Sequence, residues 1–260
     1  YMAQESYQNK KNVSREEEDL EKMFWEEYAK YYKYIENSGP YRGIREKMEK
    51  LLEEKNGSII LDACCGIGSL FEAIIQKTKC AQLIAVDFNS VALKQAKEKL
   101  NLLPKEEKEK IKIMKLDLSK KLPFNDNTFD AIISNAGICY ISQFENKTNG
   151  EAIRAILNEL KRMLKPGGYV CWSTFISNIN FKKVYLKYIS EVFKQSPKAL
   201  IAGLKLKKTT DHFHSKQRQE LYHFLSPAEI KKVHSDVGLV DTQIEYAMAG
   251  QCIIAKAKKL

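Results

Sequence analysis

Three acids stand where short apolar runs give way to turn-forming residues. Asp62 lies in Ile60-Leu61-Asp62-Ala63-Cys64-Cys65-Gly66-Ile67-Gly68, Asp87 in Val86-Asp87-Phe88, and Asp117 in Leu116-Asp117-Leu118. Gly66 and Gly68 can present unhindered backbone N–H groups, and a helix starting near Ser69 would favour a carboxylate or phosphate at its N-terminus. Asp62 suits a cationic or water-bridged amino group. Asp87, nineteen positions beyond Gly68, can accept both hydroxyls of a ribose, with Phe88 packing on an adjoining base. Each acid taken alone also reads as a helix N-cap; three on consecutive strand ends are harder to explain that way. A nicotinamide fingerprint would need a third glycine where Phe71 stands, and a P-loop a Gly-Lys pair that is absent. Asn135-Ala136-Gly137 matches a short-chain dehydrogenase motif, but the Y-x-x-x-K partner occurs only as Tyr7 and Lys11, ahead of all the strands. An NAD(P)-dependent reductase is therefore disfavoured.

The elements that must position these residues alternate. Ser14 with Glu17 forms a capping box, and Leu20, Phe24, Tyr28, Tyr31 and Ile35 recur at helical spacing, predicting a helix over 15–36 that Gly39-Pro40 ends. A second helix is expected over about 42–55, stopping at Asn56-Gly57. Strands are expected at Ser58–Ala63, Gln82–Asp87, Ile111–Leu118, Phe129–Asn135 and Tyr169–Thr174, separated by helices, which implies right-handed crossovers and a parallel sheet covered on both faces. Ser226-Pro227-Ala228-Glu229 opens a further helix ending at Gly238. Two strands then flank Gly250, close enough to pair antiparallel. The roughly 50 residues over about 175–225 read as helical and belong to no repeat.

Together the acids, the glycine pair, the Leu164-Lys165-Pro166-Gly167-Gly168 turn and this alternation resemble the class I S-adenosylmethionine-dependent methyltransferases, particularly the branch acting on quinones, lipid head groups and other small metabolites. Cys64 departs from the family's D-x-G-x-G-x-G by replacing its first glycine, which argues against left-handed backbone at that position. The resemblance implies an α/β fold: a doubly wound, seven-stranded, mostly parallel sheet with an antiparallel last strand. An N-terminal helical lid over 1–57 and a Rossmann-like domain over 58–260, carrying the helical cap at about 175–225, complete it. It implies S-adenosylmethionine as cofactor, held by Tyr32, Asp62, Cys64, Gly66, Gly68, Asp87, Phe88, Asp117, Leu118 and Asn135. Asp117 would take the adenine amino group. Tyr32, from a W-x-x-x-A-x-x-Y pattern at Trp25, Ala29 and Tyr32, would cover the carboxylate end. Tyr28 and Tyr31 read equally well as packed core. No base is fixed, because in-line methyl transfer depends mainly on near-attack geometry; Tyr140, His212, His214 and His223 are the candidates. Asp211-His212-Phe213-His214, if extended, would put two imidazoles on one face, but no further ligand completes a metal site.

The 260 residues carry 43 Lys and Arg against 33 acids, a formal charge of +10. Such an excess can attract nucleic acid, acidic lipid or an anionic substrate; its spread over many segments fits solvated helix faces. No apolar run approaches a membrane span, the N-terminus carries no secretory pattern, and six scattered cysteines without a C-x-x-C pair form neither a disulfide framework nor a zinc site, so a cytoplasmic setting is expected. The cap interleaves lysines (Lys182, Lys183, Lys187, Lys194, Lys198, Lys205, Lys207, Lys208, Lys216) with Phe181, Val184, Tyr185, Tyr188, Ile189, Val192, Phe193, Leu200, Ile201, Leu204 and Leu206. It reads as a pocket lid, a docking surface for acidic lipid, or a wall for an anionic or aromatic substrate, and the lid requires the least. An apolar or aromatic small-molecule acceptor follows. RNA or protein methylation and a non-catalytic cofactor-binding subunit remain open, although the N/D-P-P-[FYW] motif of many base-amino enzymes is replaced by Ser134-Asn135-Ala136-Gly137. Asp87→Ala is expected to weaken cofactor binding by roughly 2–3 kcal/mol as a charge-assisted pair is lost. Calorimetry with S-adenosylhomocysteine reads this directly, and unchanged affinity would remove the ribose from Asp87.

Overall fold

A computed structural model describes residues 15–145, 147–177, 179–192 and 197–260. The Ser14 half of the capping box, the Tyr7–Lys11 pair, Phe193 and Lys194 lie outside the described residues. So do the side chains of Phe181, Tyr185, Ile189, Val192, Leu200, Leu204, Leu206, Lys207 and Lys208.

Seven strands form one sheet: β1 (Ile59–Ala63), β2 (Gln82–Asp87), β3 (Ile111–Lys115), β4 (Phe129–Ser134), β7 (Leu164–Phe175), β8 (Leu239–Ala247) and β9 (Cys252–Lys259), in the order β3-β2-β1-β4-β7-β9-β8. The first five pair in parallel. β9 runs antiparallel between β7 and β8, so the last strand in the chain is the reversed one. From β1 the chain steps outward to β2 and β3, then returns to lay β4 on the other flank of β1. The crevice beyond the carboxyl ends of β1 and β4 is therefore the topological switch point, where open α/β sheets take ligands. A two-stranded ladder not anticipated from the sequence, β5 (Gln143–Phe144) with β6 (Lys147–Thr148), flanks that crevice.

The intervening helices are α3 (Phe71–Thr78), α4 (Ser90–Leu102), α5 (Lys105–Lys108) and α6 (Asn149–Met163), with α9 (Pro227–Asp236) before β8. Ser226 caps α9 as expected, its Oγ accepting from Glu229 N while the Glu229 carboxylate accepts from Ser226 N. Among the boundaries that move, β7 starts at Leu164 instead of Tyr169, the second helix ends at Leu51 instead of about 55, and three others have a clear local cause. α3 begins at Phe71, not near Ser69, because Gly66 and Gly68 both hold positive φ and keep the chain in a turn. β3 ends at Lys115, which leaves Asp117 in the following loop. Gly39-Pro40 starts a helix instead of only ending one: α1 (Arg15–Ile35) is followed at once by α2 (Gly39–Leu51), with Pro40 in a first turn where its missing N–H costs nothing.

The N-terminal helices and the cap, α7 (Phe181–Val192) and α8 (Pro197–Arg218), gather at one end. α1 lies along α8 and α4, while α2 packs on β7, β8, β9 and α7. In the cap Val184, Ala202 and Phe213 are buried, whereas Leu186 and Ile201 are exposed beside the lysines. No helix among the described residues is long and apolar enough to cross a membrane.

The far end of the sheet is tied by His234, which is fully buried. Trp172 Nε1 donates to its Nε2 at 3.0 Å, so Nδ1 carries the hydrogen and donates to Thr242 Oγ1 at 3.0 Å. Burial pushes His234 down from 6.5 to about 4, and buried His223 likewise. Below about 6.5 the unfolded chain therefore takes up protons that the folded chain refuses, and stability falls between about 6.5 and about 4. Denaturant midpoints measured from pH 7 to pH 4.5 on wild type and His234→Gln isolate the histidine: wild type should lose stability relative to the variant as the pH falls.

Candidate cofactor and acceptor site

Backbone geometry at the switch point is set by two left-handed loops. After β1, Cys64 takes φ 62° and Gly66 φ 54°. Cys64 thus adopts the conformation that its departure from glycine argued against. Its side chain takes the space opposite: a Cβ on Gly137 would collide with Cys64 Cβ and lie 2.8 Å from Ser134 Oγ. Cys65 N bonds to Val86 O at 2.9 Å, stitching the loop to β2. Burial raises the thiols of Cys64 and Cys65 well above their ordinary value, so neither offers a thiolate.

Asp87 organises this loop from the next strand. Its Oδ2 accepts from Gly66 N at 2.8 Å and its Oδ1 from Asn89 N at 2.9 Å. The cap of α4 is Asn89, not Asp87, its Oδ1 accepting from Val91 N and Ala92 N. Burial still raises the Asp87 carboxyl, against the N–H groups that lower it. Asp62 has less support. It is 1% exposed, its Oδ2 has no hydrogen-bond partner, and burial, with Asp87 nearby, lifts it to about 8. A buried carboxyl that the chain itself leaves unsatisfied fits a ligand amino group. Asp117 is tied only to its own loop, Oδ1 accepting from Ser119 N at 2.9 Å.

One cavity of about 240 Å³ joins these groups. Tyr32, Asp62, Cys64, Gly66, Asp87, Phe88, Asp117, Leu118 and Asn135 line it; Gly68 lies just behind, shaping the turn. Trp25, Tyr28, Tyr140 and Phe175 add rings to the same wall. Tyr28 therefore belongs to the cavity wall and not only to packed core. Tyr31 turns to the cap, where it accepts from Lys205 Nζ at 2.5 Å.

Of the four candidate bases, the structure brings only Tyr140 to the cavity wall. His223 donates from Nε2 to Ile141 O at 2.8 Å, and its own N–H bonds to Cys139 O at 2.7 Å. It braces the loop that carries Tyr140. His212 stacks on Phe24 with centroids 3.7 Å apart. Residues 211–214 are inside α8 and not extended, so His212 and His214 diverge by about 200° around the axis. The two-imidazole face is thereby removed.

Sequence reasoning missed what holds the N-terminal helices in place. Asn89 Nδ2 donates to Trp25 O at 2.8 Å and Gln95 Nε2 to Ala29 O at 3.0 Å. Buried Glu36 accepts from Ser69 Oγ and Lys99 Nζ, both at 2.6 Å. The Asn after Asp87 was a legible capping signal; the others join segments far apart in the chain.

A family profile described as "Methyltransferase domain" matches residues 60–168. Demethylmenaquinone methyltransferase of Staphylococcus aureus is 25% identical over 209 residues, covering 79% of this chain and 78% of that protein. Among solved structures, a SAM dependent methyltransferase from Aquifex aeolicus superposes with TM-score 0.54 at 20% identity, over 88% of this chain and 98% of the other. Phosphoethanolamine N-methyltransferase 2 of Haemonchus contortus, solved in complex with S-adenosyl-L-methionine, gives TM-score 0.60 at 16% identity, over 90% of this chain and 57% of that longer one.

Asp62 has a measurable cost in this setting. Between its ordinary 3.8 and about 8 the folded chain holds a proton that the unfolded chain releases, so stability falls as pH rises through that window. Asp62→Asn is expected to raise the thermal midpoint of the ligand-free protein at pH 8, by roughly 2–4 °C per kcal/mol relieved, and to weaken S-adenosylhomocysteine binding; thermal scans and calorimetry read the two effects. The profile running from β1 into the start of β7, the 25% identical methyltransferase aligned over most of both chains and the fold shared with solved methyltransferases together support S-adenosylmethionine-dependent methyltransferase activity for this chain.

Proposed function

We propose that the chain methylates a small, flat, apolar or aromatic acceptor of the quinol or phenol type, within a pocket closed by the N-terminal helices and the cap over about 175–225. The observation that carries this reading is the mixed wall of the cavity, which brings Asp62, Asp87 and Asp117 together with the rings of Trp25, Tyr28, Tyr140 and Phe175. The 25% identical demethylmenaquinone methyltransferase supports a quinone-type acceptor.

S-adenosylmethionine supplies an electrophilic methyl group. Asp62 would hold its amino group, Asp87 the ribose hydroxyls and Asp117 the adenine edge. Phe88 and Leu118 would pack on the base; Gly66, Gly68 and Cys64 would offer loop backbone, and Asn135 and Tyr32 would close the aminoacyl end. Trp25, Tyr28, Tyr140 and Phe175 exclude water and orient a flat acceptor, which is the main requirement of an in-line displacement. Tyr140, on the cavity wall among Trp25, Phe213 and Tyr222, is the candidate to meet an acceptor hydroxyl. Its own hydroxyl is raised well above the ordinary tyrosine value by burial, so it meets the acceptor as a neutral hydrogen-bonding group and not as a phenolate.

Incubation with methyl-labelled S-adenosylmethionine and separate pools of naphthols and hydroquinones, biogenic amines, and RNA identifies the acceptor class. Label is expected in the first pool, and Tyr140→Phe should reduce its transfer more than it reduces cofactor affinity. Label in amines or RNA alone would overturn the aromatic-acceptor reading.

A further inference from the structure

At the aromatic end of the cavity the chain buries a charge that the proposed chemistry does not require. Glu21, on α1, accepts at Oε1 from Trp25 Nε1 at 2.9 Å and from the Tyr222 hydroxyl. Its Oε2 lies 3.3 Å from both His212 Nε2 and Lys216 Nζ of α8. His212 Nε2 is in turn 3.1 Å from the Tyr222 hydroxyl. Burial pushes the Glu21 carboxyl up, yet the bonds from His212 and Tyr222, with the Lys216 charge, hold it below the usual range. Glu21 and Lys216 both line the cavity. An apolar residue here would avoid the desolvation cost, so the charge buys a specific arrangement rather than bulk stability.

That arrangement is a set of rings. The two side chains that Glu21 grips are the ones that flank Tyr140: Trp25 at 4.7 Å between centroids and Tyr222 at 5.0 Å, edge-on. Phe213 stacks on the same ring at 5.3 Å. Trp25 also meets Tyr28 at 5.4 Å. Without a polar anchor an indole and a phenol in such a cluster have several comparable packings; a shared acceptor oxygen selects one. We propose that Glu21 is the positioning residue of the acceptor site, acting through Trp25 and Tyr222 to fix the aromatic wall around Tyr140 and thereby the seating of a flat acceptor. It does not touch the acceptor itself, because Oε2 is buried and Oε1 is occupied. The inference rests on the aromatic-acceptor reading for what the wall binds, but not for what Glu21 holds.

The test compares wild type, Glu21→Ala and Glu21→Gln. S-adenosylhomocysteine affinity and the circular dichroism spectrum should match wild type in both variants, since the cofactor end has its own supports. Acrylamide quenching of tryptophan emission reports Trp25, because Trp172, the other of the two tryptophans, is fully buried. Quenching should rise in Glu21→Ala and stay near wild type in Glu21→Gln, whose amide oxygen still accepts from both donors. Calorimetric affinity for 2-naphthol should fall about tenfold in Glu21→Ala and at most about threefold in Glu21→Gln. Wild-type quenching in Glu21→Ala, or equal losses in both variants, overturns the proposal. If wild type fails to bind 2-naphthol, the aromatic-acceptor reading is lost, and the quenching comparison still decides the role of Glu21.

Discussion

Two carboxyls buried side by side at the ends of neighbouring strands constrain everything around them. Asp62 ends β1 and Asp87 ends β2, and like charges taken out of water oppose each other's ionisation. The chain relieves one of them. Gly66 and Asn89 give Asp87 two N–H donors, and this fixes the loop after β1 against the entry to α4. Asp62 keeps a buried oxygen that none of the described residues satisfies. The parallel register of β1 with β2, in which Ala63 faces Val86, brings the pair together, so the sheet order is a precondition of the site's electrostatics.

The placement of α1 depends on the same neighbourhood. α1 and the residue that follows it are fastened to α4 and its approach at three successive points, Trp25 O, Ala29 O and Glu36. Its attachments to α8 are of a different kind: side-chain ion pairs and stacked rings from Glu21, Phe24 and Tyr31. Backbone carbonyls fixed by buried amides make one edge of the roof rigid, whereas long side chains and aromatic faces make the other adaptable. A pocket built this way can hold a constant cofactor and still adjust to the shape of its acceptor.

Much of this was legible because strands buried on both faces read as short apolar runs, and acids ending such runs stand out. β2 ran as expected to the residue, and the Ser226 cap was fully specified by four adjacent side chains. What escaped was non-local or conformational. Glu21 and Tyr222 are 201 positions apart, and no local pattern pairs them. Residues 211–214 alternate like a strand yet lie in a helix, since tertiary burial of Phe213 outweighs a four-residue pattern. Gly39-Pro40 carries the signals of both a stop and a start, and only Ser38, extended at φ −67° and ψ 153°, shows that it serves as the start.

The cysteine in the first loop has a historical corollary. Where the family pattern keeps a glycine, this chain keeps Cys64 in a left-handed turn, and the absent side chain is found across the crevice at Gly137. The two positions share one small volume, so their identities are not independent. A side chain at 137 is excluded while Cys64 and Ser134 keep their places; position 64 must shrink and Ser134 must turn aside, or the loops must part. The order of substitutions open to this crevice is thus restricted by packing alone, and the pair marks a route by which a glycine can be exchanged between two loops while the cofactor crevice keeps its width.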